Sequence, residues 1–105
     1  MKVITKGGAA VDAFVPSKDS YRVLQDGGKT YSATLNQSNL QDNNNKFYII
    51  QILQQESSGN LFVWNRWGRV GVPGQNSMNG PMVKMACIQA YNKKYHDKAV
   101  KGDYR

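Results

Sequence analysis

Cys87 and His96 are the side chains with the chemistry of a nucleophile and a general base, and the sequence has one residue of each type. They lie nine positions apart, in and just beyond a predicted helix over residues 82–95. At 1.5 Å per residue, their Cβ atoms would be about 13 Å apart along the helix axis and on opposite sides of it. They therefore cannot act as a catalytic pair. We expect Cys87 to be a core residue and His96 a surface residue.

Sequence motifs of common enzymes are also absent. The chain has no Gly-x-x-x-x-Gly-Lys phosphate loop, no Gly-x-Ser-x-Gly elbow and no His-Glu-x-x-His zinc motif. A single cysteine excludes both an intramolecular disulfide and a cysteine-based zinc site. These features favour a binding role over catalysis, and we expect no metal and no cofactor in this chain.

Positive charge is the main compositional signal. The 105 residues carry a formal net charge of +7, and residues 60–105 hold eight Lys and Arg against two Asp. Such an excess indicates a polyanionic partner: nucleic acid, an acidic membrane face or an acidic protein. A soluble domain that is merely basic is an equally good interpretation of charge alone. The apolar runs fall far short of the roughly 20 residues of a membrane span, so no membrane contact is expected.

The elements that must position the charged residues form one domain of the α+β class, a small antiparallel sheet with one main helix packed on it. We expect residues 1–20 to be a loosely packed leader and residues 21–105 to be the domain. Both faces of residues 46–54 are apolar, which predicts a central strand covered on both sides. The predicted strands are residues 21–25, 30–35, 46–54 and 61–67, with a hairpin turn at residues 26–29 between the first two.

The segments between these strands have contrasting compositions. Residues 36–45 are rich in Asn, Gln and Ser, which predicts a loop. Glycine and proline exclude a helix from residues 68–81, although short extended pieces such as 69–72 could pair with a neighbour. The helix over residues 82–95 would begin with Pro81 at its first turn. One stripe of its 3.6-residue period is mainly apolar and consists of Val83, Cys87, Ala90, Tyr91, Lys94 and Tyr95.

The segment 60–71, NLFVWNRWGRVG, contains the triplet Trp67-Gly68-Arg69 followed by Val-Gly. Trp67, the first residue of the triplet, comes 21 residues after Lys46, which lies within NNNKFYIIQIL. Together with residues 34–46 (TLNQSNLQDNNNK), 6–12 and 74–77, this combination resembles the WGR domain of the poly(ADP-ribose) polymerase family. The resemblance covers roughly residues 6–98 and implies the WGR-like α+β fold.

The signature residues have roles that the resemblance implies. Trp67 is expected to stack on the sugar or terminal base at a DNA break, where stacking contributes about 1–3 kcal/mol per base. The alternative is a core position, which is our interpretation of Trp64. Arg69 is expected to contact DNA and to bridge to a neighbouring regulatory domain, or to be an ordinary surface residue. Gly68 would let the backbone approach DNA closely, or would serve only as a turn.

Further DNA contacts are expected before the signature and at the C-terminus. By resemblance, Asn45 and Lys46 contact the phosphate at a DNA 5′ end, and Asn43 and Asn44 are weaker candidates. Members of the family continue after the helix through a longer segment with a buried Trp. Here that connection is short, or the chain was cut, and Tyr104 matches the family Tyr near the 5′ end. A solvated face without specific contacts is expected for Lys93, Lys94, Lys98 and Lys101.

The implied function is that of a DNA-break-sensing module in a nuclear protein. Such a module recognises a DNA end or nick through its 5′-phosphate and relays this to a catalytic region. Full-length members are ADP-ribosyltransferases that use NAD⁺, with a regulatory and a catalytic domain that this sequence does not match. We therefore expect no transferase activity from this chain. The alternative is a protein–protein interaction module whose signature docks a neighbouring regulatory domain, because an exposed Trp–Arg pair suits a protein hot spot equally well.

Overall fold

A computed structural model describes residues 9–39, 41 and 44–105, without the side chains of Asn39 and Asn44. Its strands and helix confirm the α+β class. A short 3₁₀ turn, Lys18–Ser20, precedes the first strand, and a π-helical turn, Asp97–Lys101, follows the helix. The elements are β1 Tyr21–Val23, β2 Gln25–Asp26, β3 Lys29–Thr30, β4 Ser32–Asn39, β5 Asn44–Gln55, β6 Leu61–Arg69, β7 Gln75–Met82 and α1 Lys84–His96.

Strand β5 is the centre of a five-stranded antiparallel sheet. One edge of β5 pairs with β6, which in turn pairs with β7. Its other edge pairs with β4 over residues 44–51 and with β1 over residues 53–55, so these two strands lie end to end. Ile50 and Ile52 are buried on one face of β5 and Leu53 on the other. The prediction of a central strand covered on both sides is therefore confirmed.

The predicted hairpin between residues 21–25 and 30–35 is only partly correct. The turn forms, with both Gly27 and Gly28 at positive φ, as a two-residue hairpin turn requires. Only the two residue pairs of β2 and β3 flank it, however. The rest of each arm pairs with β5 instead, because that strand offers a longer ladder and a buried apolar face.

Two other sequence expectations are corrected by strand pairing. The predicted loop over residues 36–45 is largely strand, since β4 continues to Asn39 and β5 begins at Asn44. Their backbones pair in register, which outweighs the local turn preference of Asn and Ser. The glycine-rich segment 68–81 contains no helix, as predicted, and it holds the edge strand β7. The extended piece expected at 69–72 forms only at its start, where Arg69 ends β6 and the Val70 N–H bonds to the Asn45 carbonyl.

The helix begins later than the sequence predicts. Pro81 lies in β7, after a cis peptide bond with Gly80, and the extended backbone of Val83 places the first helical residue at Lys84. Of the predicted apolar stripe, Cys87 and Tyr91 are buried, whereas Val83, Ala90 and Tyr95 are exposed. Cys87 is thus a core residue, as predicted, and burial raises the pKa of its thiol. His96 is exposed, also as predicted.

Residues 16–20 are exposed, but residues 9–15 pack on the face of the sheet opposite α1. Val15 is buried with Val23, Leu53 and Trp64. Gln51 donates from Nε2 to the Ala10 carbonyl and accepts from the backbone N–H of Asp12. The expectation of a loosely packed leader is therefore corrected for these residues, because buried polar groups attach them to the sheet.

The Asp12 carboxylate is the main attachment. Arg66 donates to both of its oxygens, at 2.7 and 3.0 Å, and the Trp64 indole donates at 2.7 Å. Burial acts to raise the pKa of Asp12, but the hydrogen bonds from Arg66 and Trp64, with the guanidinium charge, hold it below its usual value. The carboxylate therefore remains charged and paired inside the fold.

Asp12→Asn should lower the free energy of unfolding by about 3 kcal/mol, because it leaves the buried Arg66 charge without its partner. Urea unfolding at neutral pH measures the change. Asp19→Asn, at an almost fully exposed aspartate, is the matched control and should change stability by less than about 0.5 kcal/mol. Equal effects of the two substitutions would contradict the structural role of Asp12.

The stability that Asp12 contributes should depend on pH. Its pKa is lowered in the fold, so this contribution is complete above the unfolded pKa of about 3.9 and is lost as pH falls through the folded pKa. The gap in unfolding free energy between wild type and Asp12→Asn should therefore be constant from pH 6 to 8, and should shrink below about pH 4. A gap that persists unchanged in strong acid would refute the pairing.

Candidate nucleic-acid interface

Two cross-strand pairs at the end of β5 and β6 form the centre of the candidate site. Lys46 lies opposite Arg69, and Tyr48 lies opposite Trp67. Side chains of directly opposed residues share a face of an antiparallel sheet, and two residues along a strand is roughly 7 Å. The basic pair therefore lies just beyond the aromatic pair, on the face that carries α1.

Trp67 has a half-buried ring that stacks on Tyr48, with 5.7 Å between ring centroids and 12° between planes. Tyr48 is buried, and its hydroxyl donates to Asn65 Oδ1 at 3.0 Å. Burial, with the neighbouring Tyr104, raises the pKa of Tyr48 to about 12, so the phenol remains a neutral donor. Trp64 is 1 % exposed on the opposite face, which confirms its core position. The indole of Trp67 thus has a fixed orientation and a solvent-accessible part.

The C-terminal segment brings Tyr104 to this face. Arg105 and Asn36 exchange two backbone hydrogen bonds, and Gln37 Nε2 donates to the Gly102 carbonyl at 2.6 Å. Between these anchors, the Tyr104 ring meets the Tyr48 ring edge-on at 6.3 Å. The structure therefore places this predicted site residue beside the aromatic pair.

Two lysines also contact this aromatic cluster. Lys98 Nζ lies 4.8 Å from the Tyr48 ring centroid and 5.7 Å from that of Tyr104, and Lys94 Nζ lies 6.0 Å from Tyr48. The expectation of a solvated face without specific contacts is corrected for these two, because the rings attract their ammonium groups. Lys93 and Lys101 are exposed.

Gly68 and Asn45 lie on the other side of the sheet from Lys46 and Trp67, because successive residues of a strand alternate between faces. A Cβ at Gly68 would lie 2.9 Å from the Cα of Gly74, so glycine is needed for the chain to return past the strand. The Asn45 carbonyl accepts from the Val70 N–H and extends the ladder. The predicted weaker candidates Asn43 and the Asn44 side chain lie outside the described residues.

The structure therefore brings together four of the predicted site residues: Lys46, Trp67, Arg69 and Tyr104. The fold itself explains the positions of the other two, Gly68 and Asn45. Tyr48 was missed by sequence reasoning. The only sequence feature that could have indicated Tyr48 is its place two residues after Lys46 on the same predicted strand. Its pairing with Trp67 depends on the register between the strands.

The cations of this cluster are not neutralised within the described part of the chain. The ion pairs found there join Asp12 to Arg66, Asp19 to Lys18, Asp26 to Lys84 and Asp103 to Arg105. None involves Lys46, Arg69, Lys94 or Lys98. Among the described residues, this face thus presents positive charge around a flat aromatic ring with no acidic side chain paired to it, which suits a phosphate next to a base or sugar.

The described residues offer neither a metal-binding cluster nor a membrane-spanning helix. Among residues 9–39, 41 and 44–105, no group of three His, Cys, Asp or Glu lies close enough to hold a metal ion. Within the same residues, no helix is long and apolar enough to cross a membrane.

Comparison with known proteins identifies the family. The family model described as WGR domain matches residues 31–105, which is more than half of the chain. This chain belongs to the WGR domain family. It is 50 % identical over 102 residues to poly [ADP-ribose] polymerase 2 of Zea mays, covering 93 % of this chain and 16 % of that protein.

Other relatives have related names. Poly [ADP-ribose] polymerase 2 of Homo sapiens is 42 % identical over 100 residues, covering 91 % of this chain and 17 % of that protein. Protein mono-ADP-ribosyltransferase PARP3 of Mus musculus is 48 % identical over 68 residues, covering 65 % of this chain and 12 % of that protein. The chain thus spans between 12 % and 17 % of the length of these curated relatives.

A groove of about 500 Å³ opens on the other face of the WGR domain, beside the loop that follows Arg69. Three of its lining side chains, Phe14, Val70 and Val72, are 49 %, 57 % and 51 % exposed. Arg66, which lies 4.4 Å from the Phe14 ring centroid, also lines it. This second surface is apolar, in contrast to the cationic face around Trp67.

Tyr48→Phe should lower the free energy of unfolding of the WGR domain by about 1–3 kcal/mol, because buried Asn65 Oδ1 loses its donor. The aromatic stack on Trp67 should persist. Chemical denaturation measures the change, and Tyr95→Phe, at a tyrosine 43 % exposed, is the matched control with little expected effect. A Tyr48→Phe variant as stable as the control would show that the hydrogen bond contributes nothing.

Proposed function

We propose that this WGR domain binds a DNA end or nick through the face that carries Trp67, Lys46, Arg69 and Tyr104. The observation that carries the proposal is the half-buried Trp67 ring, stacked on Tyr48 and flanked by cations that form no ion pair with the described acidic residues. An intact duplex stacks its bases internally, so an exposed ring can stack only where the duplex ends or is interrupted. Recognition is therefore of structure, not of sequence.

The cations beside the ring would bind phosphate. Arg69 has a fixed fork of donors and Lys46 a compact charge, and their cross-strand position presents both to one group. A 5′-phosphate at a break carries more charge than a phosphodiester and is not enclosed by the duplex. We therefore infer that it is the group that Lys46 and Arg69 recognise, with Tyr104 close by.

The WGR domain would act as a sensor for a catalytic region elsewhere in a longer nuclear protein. Its relatives are named as ADP-ribose polymerases and transferases, and the chain covers a small part of each. In this proposal NAD⁺ is used by that catalytic region, and the residues of this chain have no transferase activity themselves. Arg69 would also contact the neighbouring regulatory domain, as a charged group at the edge of the DNA face can do.

The apolar groove supports a second candidate, a module that docks another protein domain. Phe14, Val70 and Val72 are exposed there, next to the loop after the signature. Contact through such a surface should depend weakly on salt. DNA binding through Z phosphates should instead weaken with a log–log slope near −0.9Z.

Fluorescence anisotropy with a short labelled duplex, blunt or nicked and with or without a 5′-phosphate, tests the first candidate. The phosphate should tighten binding by the wild-type chain. Trp67→Ala should weaken it on the order of tenfold, within the range of about 1–3 kcal/mol for a stacked base. Phe14→Ala, a half-exposed aromatic on the other face, is the matched control and should leave DNA affinity unchanged.

The opposite result would contradict recognition of a DNA end through Trp67. If neither the phosphate nor Trp67 affects binding, the positive charge is only a non-specific attractor of DNA. The Phe14→Ala variant should then be tested against neighbouring protein domains, where a salt-insensitive loss of affinity would support the docking module.

A further inference from the structure

Lys98 lies in an unusual position for a surface lysine. It belongs to the π-helical turn after α1, and its ammonium lies over the rings of both Tyr48 and Tyr104. Its backbone carbonyl accepts from the Tyr104 N–H at 2.8 Å, which closes the turn that carries Tyr104. Backbone and side chain of Lys98 are therefore both held against the aromatic cluster.

This arrangement lowers the entropic cost of binding an anion through the Lys98 ammonium group. A free lysine side chain loses rotamer entropy when it is immobilised on a partner. The two rings already confine Lys98, so part of that entropy is lost on folding and not on binding. Rings attract an ammonium group without neutralising it, so its charge remains available to an anion.

Lys98 also lies on a different side of the aromatic pair from Lys46 and Arg69. Those two follow Tyr48 and Trp67 along β5 and β6, beyond the last aromatic row. Lys98 approaches Tyr48 from the helical layer, with Lys94 behind it at 6.0 Å from the same ring. Positive charge thus borders the Tyr48–Trp67 stack at the strand ends and at the helix end.

We propose that Lys98 is a second phosphate-binding group of the DNA face, held in place by Tyr48 and Tyr104 and contacting a different phosphate from Lys46 and Arg69. The inference rests on the proposed function, since it extends the same surface. A duplex presents phosphates on two strands, so cations on two sides of the Tyr48–Trp67 pair would fix the orientation of the DNA end as well as its affinity. Lys94 would add a weaker attraction at longer range.

A purely structural role for Lys98 makes a different prediction. Its place after α1 allows the ammonium to stabilise the C-terminal end of the helix dipole. In that case removing its charge should lower stability and leave the salt dependence of DNA binding unchanged.

Lys98→Met separates these roles, because it keeps an apolar stem on the rings and removes the charge. Lys101→Met, in the same turn and exposed, is the matched control for the lost charge. Affinity for a 5′-phosphorylated duplex is measured between 50 and 300 mM salt for both variants, for Lys98→Arg and for the wild type, with thermal unfolding in parallel. Trp67→Ala is included to test the proposed function independently.

Lys98→Met should reduce the log–log salt slope by about 0.9 and weaken binding about eightfold at 0.1 M salt, the contribution of one phosphate contact. Lys98→Arg should retain the wild-type slope, and Lys101→Met should stay near it. Equal slopes for Lys98→Met and Lys101→Met, with Trp67→Ala still impaired, would overturn the role of Lys98 and leave the proposed function intact. Loss of any Trp67 or phosphate dependence would instead overturn the proposed function.

Discussion

The rest of the domain depends on the contacts that the guanidinium of Arg66 makes. It pairs with both oxygens of Asp12, donates to the Pro73 carbonyl at 2.7 Å, and lies within 5 Å of the ring centroids of Phe14 and Phe47. The pairing with Asp12 fixes the N-terminal segment on the sheet, and the hydrogen bond to the Pro73 carbonyl fixes the turn that follows the signature triplet. A buried charge is tolerated here because its hydrogen bonds are satisfied by groups that the fold must position.

Alternation along β6 places the buried polar network and the half-exposed ring of Trp67 on opposite faces of the sheet. Trp64 and Arg66 point to the face covered by the N-terminal segment, whereas Asn65 and Trp67 point to the face of α1. Strand β6 therefore carries a buried polar network on the face of the N-terminal segment and a stacked, half-exposed ring on the face of α1. The Trp67 ring is held by strand β6 and by its stack on Tyr48. Little reordering of this ring is needed when a partner binds, so the entropic cost of binding is low.

Much of this architecture could be predicted from the sequence, and the remainder depended on distant partners. The β-branched and aromatic runs around Ile50 and Val63 predicted the central strands correctly, and the signature resemblance led to Lys46, Trp67, Arg69 and Tyr104. Local preference predicted the wrong structure where ladder pairing outweighed it, as in the Asn-rich end of β4. Asp12 could not be predicted as a core group because its partner Arg66 is 54 residues away. The contact of Lys98 with Tyr48 depends on how α1 crosses the sheet, which periodicity does not determine.

The most direct test of the central claim uses the two indole N–H resonances of the chain in a ¹H–¹⁵N spectrum. Trp64 is buried and bonded to Asp12, so it serves as an internal control for Trp67. On titration with a short duplex bearing a 5′-phosphate, the Trp67 signal should shift and saturate while that of Trp64 stays in place. If DNA binds and the Trp67 signal does not move, this face is not where the WGR domain meets DNA.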